Sequence, residues 1–196
     1  MARSAFGTKE FWDEVYLGRG DFPADEYSWY FGFDTYHRIV QENVKDKTVP
    51  ILIPGIGNDP ILLSSLQKGY TNSTATDYSE FALERQRELL RSERYPDDAV
   101  ELRCMDARRR MEDSMWTNRF SVILEKGALD AIYLSGDGHL ESTVREFERI
   151  LIPGGILISV SGVVPEDLRR HVFENRNWLE DGSDDLKAGC FVLQYR

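Results

Sequence analysis

The chain has 196 residues, 41% of them hydrophobic, enough for one substantial core and a single domain. Its 24 Lys and Arg against 34 Asp and Glu give a net charge of -10, so no phosphate-neutralising surface is evident: neither nucleic acid nor membrane is expected as a partner, and a basic partner is. Cys104 and Cys190 offer neither a disulfide framework nor a zinc pattern and read as buried thiols in a reducing, cytoplasmic setting; no metal site is expected, and no stretch approaches the ~20 apolar residues of a membrane span.

The N-terminal part, residues 1–46, reads as a helical extension or lid. Thr8 can cap a short helix carrying Phe11, Trp12, Val15 and Tyr16. An aromatic loop, D-E-Y-S-W-Y-F-G, follows, and then a helix from about Phe33 to Asn43. Such an arm can pack on a sheet edge or close over a site.

From residue 47 to 196 the dominant pattern is alternation. Apolar runs at Val49–Ile53, Ser73–Asp77, Ala99–Cys104, Phe120–Glu125 and Gly155–Ser161 are separated by helical periodicities. Ser79 can cap a helix running to about Glu93, and Leu140, Val144, Phe147, Ile150 and Leu151 form a helical stripe that ends before Pro153-Gly154-Gly155. A helix from about Pro165 to Glu174 then leads to strand-like runs around Trp178 and at Gly189–Tyr195. No crossover helix fits between these two, so they must be antiparallel. The expected fold is α/β: a mostly parallel, seven-stranded Rossmann-like sheet with a C-terminal antiparallel hairpin and helices on both faces.

The chemistry begins at V-P-I-L-I-P-G-I-G-N-D-P. A buried strand ends at Pro54, Gly55-Ile56-Gly57 makes a tight turn, and Asn58 or Asp59 can cap the next helix, with Pro60 in its first turn. Asp77 ends the second strand twenty positions after Gly57, near the spacing at which a carboxylate meets the ribose hydroxyls of a bound nucleoside; it could instead cap the helix beginning near Ser79. A dinucleotide site wants a third glycine where Pro60 stands, which disfavours an NAD-dependent oxidoreductase, and a carboxylate near the helix start opposes a phosphate. A nucleoside with positive charge and no phosphate fits better, and S-adenosylmethionine is such a molecule. The run Arg108 to Arg110 reads as a solvated face, with contact to an acidic ligand as the alternative; His37, His139 and His171 read as surface or capping residues.

E-F-W-D-E-V-Y, Y-S-W-Y, G-I-G-N, A-T-D-Y-S, C-M-D-A and V-I-L-E-K-G-A-L-D-A together resemble the class I S-adenosylmethionine-dependent methyltransferases, in particular the branch of the elongation factor 1-alpha lysine methyltransferases. The resemblance runs from about Phe11 to Tyr195, and E-K-G-A-L-D is its most distinctive element. It implies that Gly55 and Gly57 border the methionine part of the cofactor, that Asp77 holds the ribose, and that Tyr78, Asp106 and Ala107 flank the adenine. Lys126 would stand beside the pocket, and Trp12, Tyr16 and Trp29 would close over it. Glu125 and Tyr30 are substrate-side candidates by position. Ala128 stands where the branch usually has threonine. The implied activity is methyl transfer to a protein lysine, leaving S-adenosyl-L-homocysteine; a small-molecule acceptor and a non-catalytic binding domain of the same fold are the alternatives.

Overall fold

The computed structural model describes residues 4–25, 27–109, 114–173, 177–179 and 189–195. The turn expected between the last two strands, Arg110 and the end of the last helix lie outside them. In chain order the elements are α1 (Lys9–Tyr16), α2 (Phe33–Asn43), β1 (Ile51–Pro54), α3 (Ile61–Gln67), β2 (Ser73–Asp77), α4 (Glu80–Ser92), β3 (Glu101–Cys104), β4 (Phe120–Lys126), α5 (Ala128–Leu134), α6 (Leu140–Ile150), β5 (Leu151–Ser161), α7 (Glu166–Phe173), β6 (Asn177–Leu179) and β7 (Gly189–Gln194).

The strands form one sheet in the order β3-β2-β1-β4-β5-β7-β6. Pairing is parallel from β3 to β5 and antiparallel at β5–β7 and β7–β6. Six strands of four or more residues carry the sheet, and the expected seventh is reduced to the three residues of β6 at the edge. The sheet order turns at β1, which has β2 on one side and β4 on the other, so a crevice opens beyond the carboxyl ends of these strands.

Alternation along the central strands explains why helices cover both faces. Ile51 and Ile53, Val122 and Leu124, Ile158 and Val160 pack into one core with Tyr36, Val40, Leu62 and Leu83 from α2, α3 and α4. The intervening Leu52, Ile123 and Leu157 pack into the other with Leu129, Val144, Phe147 and Phe173 from α5, α6 and α7. A period of two therefore feeds two helical layers at once. Pro153, Gly154 and Gly155 do not precede β5 but form its irregular start, where the register with β4 shifts.

Two local expectations change. Ser79 occupies the N-cap position of α4 but its hydroxyl does not cap the helix; it donates to Asp13 Oδ1 of α1, at 2.5 Å. Cys190 is buried, whereas Cys104 is exposed, because it ends the edge strand β3, which pairs on one side alone.

Candidate active site

At the carboxyl edge of β1, β2 and β4 lies a cavity of about 400 Å³. Its wall includes Trp12, Tyr16, Trp29, Tyr30, Gly55, Gly57, Asp77, Tyr78, Asp106, Ala107 and Lys126, so the sequence candidates converge on one place. Glu125 does not reach it. Its carboxylate is buried behind the wall, where Oε1 accepts from Leu129 N at 2.9 Å and Oε2 from Ser159 Oγ at 2.5 Å. Burial and the neighbouring Asp130 push the Glu125 carboxyl up to about 7. Its sequence position next to Lys126 misleads because adjacent strand residues face opposite sides of a sheet.

The glycine turn is shaped by contacts that larger residues would break. Gly55 and Gly57 have φ of 61° and 55°, in the left-handed region. A Cβ on Gly55 would lie 2.6 Å from Ala128 Cβ, and one on Gly57 would lie 2.7 Å from Tyr16 Oη. Gly57→Ala is therefore expected to strain the turn and crowd Tyr16 in the cavity wall, and to weaken nucleoside binding about tenfold or more, measured by calorimetry.

Asp77 fixes the same turn from the second strand. Its Oδ2 accepts from Gly57 N and its Oδ1 from Ser79 N, each at 2.9 Å. Both bonds spread from one carboxylate at the tip of β2, which has further lone pairs to offer and lines the cavity. Burial raises the Asp77 carboxyl to about 6, against the opposing pull of the two backbone N–H groups.

On the other flank, Lys126 Nζ pairs with Asp59 Oδ2 at 2.5 Å and donates to the Trp29 carbonyl at 2.5 Å. The pair is buried, with 4% and 10% of the two side chains exposed. Burial still holds the Asp59 carboxyl above its usual range despite Lys126. Asp59 Oδ1 accepts from Ile61 N and so does serve the start of α3, as the sequence suggests. Asn58 does something else: its Nδ2 donates to the carbonyls of Pro23 and Asp25, tying the aromatic arm to the glycine turn.

The arm is a packed aromatic cluster. Trp12 stacks on Tyr16 with centroids 6.0 Å apart and meets Trp29 edge-on at 5.6 Å. Arg85 Nε donates to the Tyr16 carbonyl, and Tyr78 Oη to that of Thr8, so α1 is anchored beside the β2 tip. Thr8 accepts from Phe11 N, as a capping residue should.

At the opposite end, Asp106 accepts from Arg108 N, Nε and Nη2. Burial opposes ionisation of Asp106, but these bonds outweigh it and hold the carboxyl below its usual range. Arg108 also reaches Asp137 at 3.5 Å and lies over the Tyr78 ring. It therefore turns inward, contrary to the expected solvated run, while Arg109 stays exposed. None of His37, His139 and His171 lines the cavity.

Two residues of the site escape sequence reasoning. Gln86 Nε2 donates to the carbonyls of Gly57 and Asp59 at 2.8 and 3.0 Å, clamping the turn from α4. Asp130, the last residue of E-K-G-A-L-D, lines the cavity and accepts from Tyr30 Oη, Ser161 Oγ and the backbone N–H groups of 162–164. A glutamine on a helix carries no signal of such a contact; Asp130 could have been found through the motif itself.

Comparison with known proteins supplies the family. The family model described as a methyltransferase domain matches residues 52–159, which hold all of β1 but its first residue, both glycines, Asp77 and Lys126. EEF1A lysine methyltransferase 2 of Danio rerio is 28% identical over 82% of this chain, and EEF1A lysine methyltransferase 4 of Mus musculus is 25% identical over 85%. The chain spans 71% of the first relative's length and 66% of the second's. Among solved structures, the N-methyltransferase NodS from Bradyrhizobium japonicum, in complex with S-adenosyl-L-homocysteine, superposes with a TM-score of 0.58 at 16% identity, covering 83% of this chain and 85% of that one; this likeness speaks to the fold. No described helix is long and apolar enough to cross a membrane. With a methyltransferase-domain match over more than half of its length, the chain belongs to that family, as a class I S-adenosylmethionine-dependent methyltransferase similar to the eEF1A lysine methyltransferases.

Proposed function

We propose that the protein transfers a methyl group to a lysine side chain on a basic protein surface, with the donor bound in the cavity beyond β1 and β2. The observation that carries the donor site is the Asp77 carboxylate, in the cavity wall and oriented by the amides of Gly57 and Ser79. The residues fit a cationic nucleoside without phosphate. Asp59, Asp77, Asp106 and Asp130 all line the cavity, and its two basic residues, Lys126 and Arg108, are each paired with a carboxylate. No free cation is left in the described wall to meet a phosphate.

S-adenosylmethionine supplies a methyl group already activated on a sulfonium. The chain aligns and shields. Asp77 would accept from the ribose hydroxyls; the Gly55–Gly57 turn would let backbone approach the methionine part; Tyr78, Asp106 and Ala107 would border the adenine. Trp12, Tyr16 and Trp29 would exclude water over the site, which strengthens every charge interaction inside it. A lysine acceptor, with an ordinary pKa of about 10.4, loses its proton more readily on leaving water for such a site. The acidic balance of the chain, -10 overall, favours a basic acceptor surface by complementary potential.

Ribose binding needs the ionised carboxylate. With the Asp77 carboxyl raised to about 6 by burial, donor affinity is expected to be level above pH 7 and to fall about tenfold per pH unit well below 6, as protonation competes with binding. Titration of S-adenosylhomocysteine between pH 4.5 and 8 checks this. For the acceptor, methyl-labelled donor is incubated with purified eukaryotic elongation factor 1-alpha and with a cell lysate. Label retained on protein lysine is the expected result; label confined to the small-molecule fraction overturns the lysine reading.

A further inference from the structure

Tyr30 and Val163, 40% and 38% exposed, both line the cavity. Tyr30 has φ of 65°, a conformation that a tyrosine adopts only where its surroundings hold it. Here they do. The Trp29 carbonyl before it is tied to Lys126 Nζ, and Tyr30 Oη donates to Asp130 Oδ2 at 2.5 Å.

Asp130 is saturated by its neighbours. Its Oδ1 accepts from Ser161 Oγ at 2.5 Å, Val163 N at 3.2 Å and Val164 N at 3.0 Å, and its Oδ2 takes Gly162 N at 3.0 Å besides Tyr30. A carboxylate offers about four lone-pair positions, and this one receives five donors. It cannot rotate to serve a substrate. The phenol has one hydrogen and has given it to Asp130, so what Tyr30 Oη can still offer is its lone pairs. Burial, reinforced by the Asp130 bond, raises the phenol well above its ordinary range, so it stays protonated at any working pH.

In the proposed binding mode this is the end of the cavity that would take the methionine part of the donor. Ala128 packs on Gly55, and a Cβ on the preceding Gly127 would lie 3.6 Å from the Tyr30 ring. Tyr78 and Asp106 occupy the other end of the wall.

We propose that Tyr30 selects and orients a nitrogen acceptor, its hydroxyl oxygen accepting a hydrogen bond from the N–H of an incoming amine whose alkyl chain lies between the Tyr30 ring and Val163. This rests on the reading that the donor occupies the cavity. A carboxylate acceptor has no hydrogen to give and would set its lone pairs against those of Tyr30, with the Asp130 charge behind them; an amine meets both favourably. The ammonium first gives one proton to solvent. The nitrogen lone pair then forms the N–C bond as the C–S bond breaks, leaving a methylammonium and a neutral thioether, and Tyr30 keeps its proton throughout.

The test needs no acceptor. Sinefungin is an S-adenosylhomocysteine analogue in which an amine-bearing carbon replaces the sulfur, which puts an ammonium beside the position of the transferred methyl. Calorimetry of wild type and Tyr30→Phe with both ligands reads the preference for sinefungin over S-adenosylhomocysteine. The expected result is a preference of about tenfold or more in the wild type, as for one hydrogen bond to charge, lost in Tyr30→Phe with S-adenosylhomocysteine affinity within twofold, alongside a lower melting temperature from loss of the Asp130 bond. A purely structural role would move both ligands together. A preference that survives in Tyr30→Phe, or is missing from the wild type, overturns the proposal. Failure of the wild type to bind S-adenosylhomocysteine at all overturns the donor-site reading, and the proposal with it.

Discussion

Asp77→Ala protein is expected to bind S-adenosylhomocysteine about a hundredfold more weakly than the wild type. The charged carboxylate would accept from the ribose hydroxyls, and a hydrogen bond to a charged group contributes about 1.5–3 kcal/mol; two such bonds, counted conservatively because they share one carboxylate, give about 3 kcal/mol. The substitution also strips the Gly57 and Ser79 amides of their acceptor, so some loss of stability accompanies it. Asp77→Asn separates the two effects. An amide oxygen can still serve one of the backbone N–H groups, so Asn retains more of the fold than Ala while losing the charge that the ribose would meet. Calorimetry together with thermal unfolding measures both. Affinity unchanged in a folded Asp77→Ala protein would remove Asp77 from the site.

The second large effect is expected at Lys126. Lys126→Met keeps the aliphatic stem but leaves Asp59 without its partner in a dry setting. Breaking a buried pair from one side costs about 3–5 kcal/mol, and a chain of this size loses about 2–4 °C of melting temperature per kcal/mol. The expected loss is therefore on the order of 10 °C. The sign of its pH dependence follows from Asp59. Burial raises its carboxyl even with Lys126 present, and removing the cation raises it further. A carboxyl whose folded pKa exceeds the unfolded one gives stability that is present at low pH and lost as pH rises through the folded pKa. The deficit of Lys126→Met should thus be larger at pH 8 than at pH 5. Adding Asp59→Asn removes the stranded charge while keeping an oxygen for Ile61 N, and should recover part of the loss. Thermal unfolding of the two single variants and the double completes the cycle; equal deficits at the two pH values would contradict the buried-pair account.

These two residues also mark how far the sequence could be read. The strand–helix alternation was legible because each central strand buries both faces and each long helix carries its own apolar stripe, patterns that survive without tertiary knowledge. Gly55, Gly57 and Asp77 were legible because the first strand-to-helix turn and the second strand tip are neighbours in any sheet of this order. The tertiary partners were not. Asn58 looks like a helix cap until the arm is folded over it, and Ser79 loses its capping role to Asp13 of a helix 66 residues earlier. Glu125 looked poised beside Lys126, yet strand alternation sends one inward behind α5 and the other to the cavity. Cys104 sits in an apolar-looking run, but β3 lies at the sheet edge and leaves its thiol exposed. The short helix α5 left no periodic trace because seven residues make barely two turns.

E-K-G-A-L-D shows how a motif recognised by resemblance acquires physical content. Glu125 holds the first turn of α5 to β5, Lys126 neutralises Asp59, Gly127 turns with a φ of 76°, Ala128 packs on Gly55, and Asp130 organises Tyr30 and the loop after β5. Six consecutive residues thus join the glycine turn, the aromatic arm and the loop after β5 around the cavity.

The most direct test is a crystal structure of the protein with S-adenosylhomocysteine. The account requires the ribose hydroxyls within hydrogen-bond distance of the Asp77 carboxylate, the adenine beside Tyr78 and Ala107, and the sulfur facing Tyr30. A nucleoside seated elsewhere, or one whose sugar makes no contact with Asp77, would contradict it.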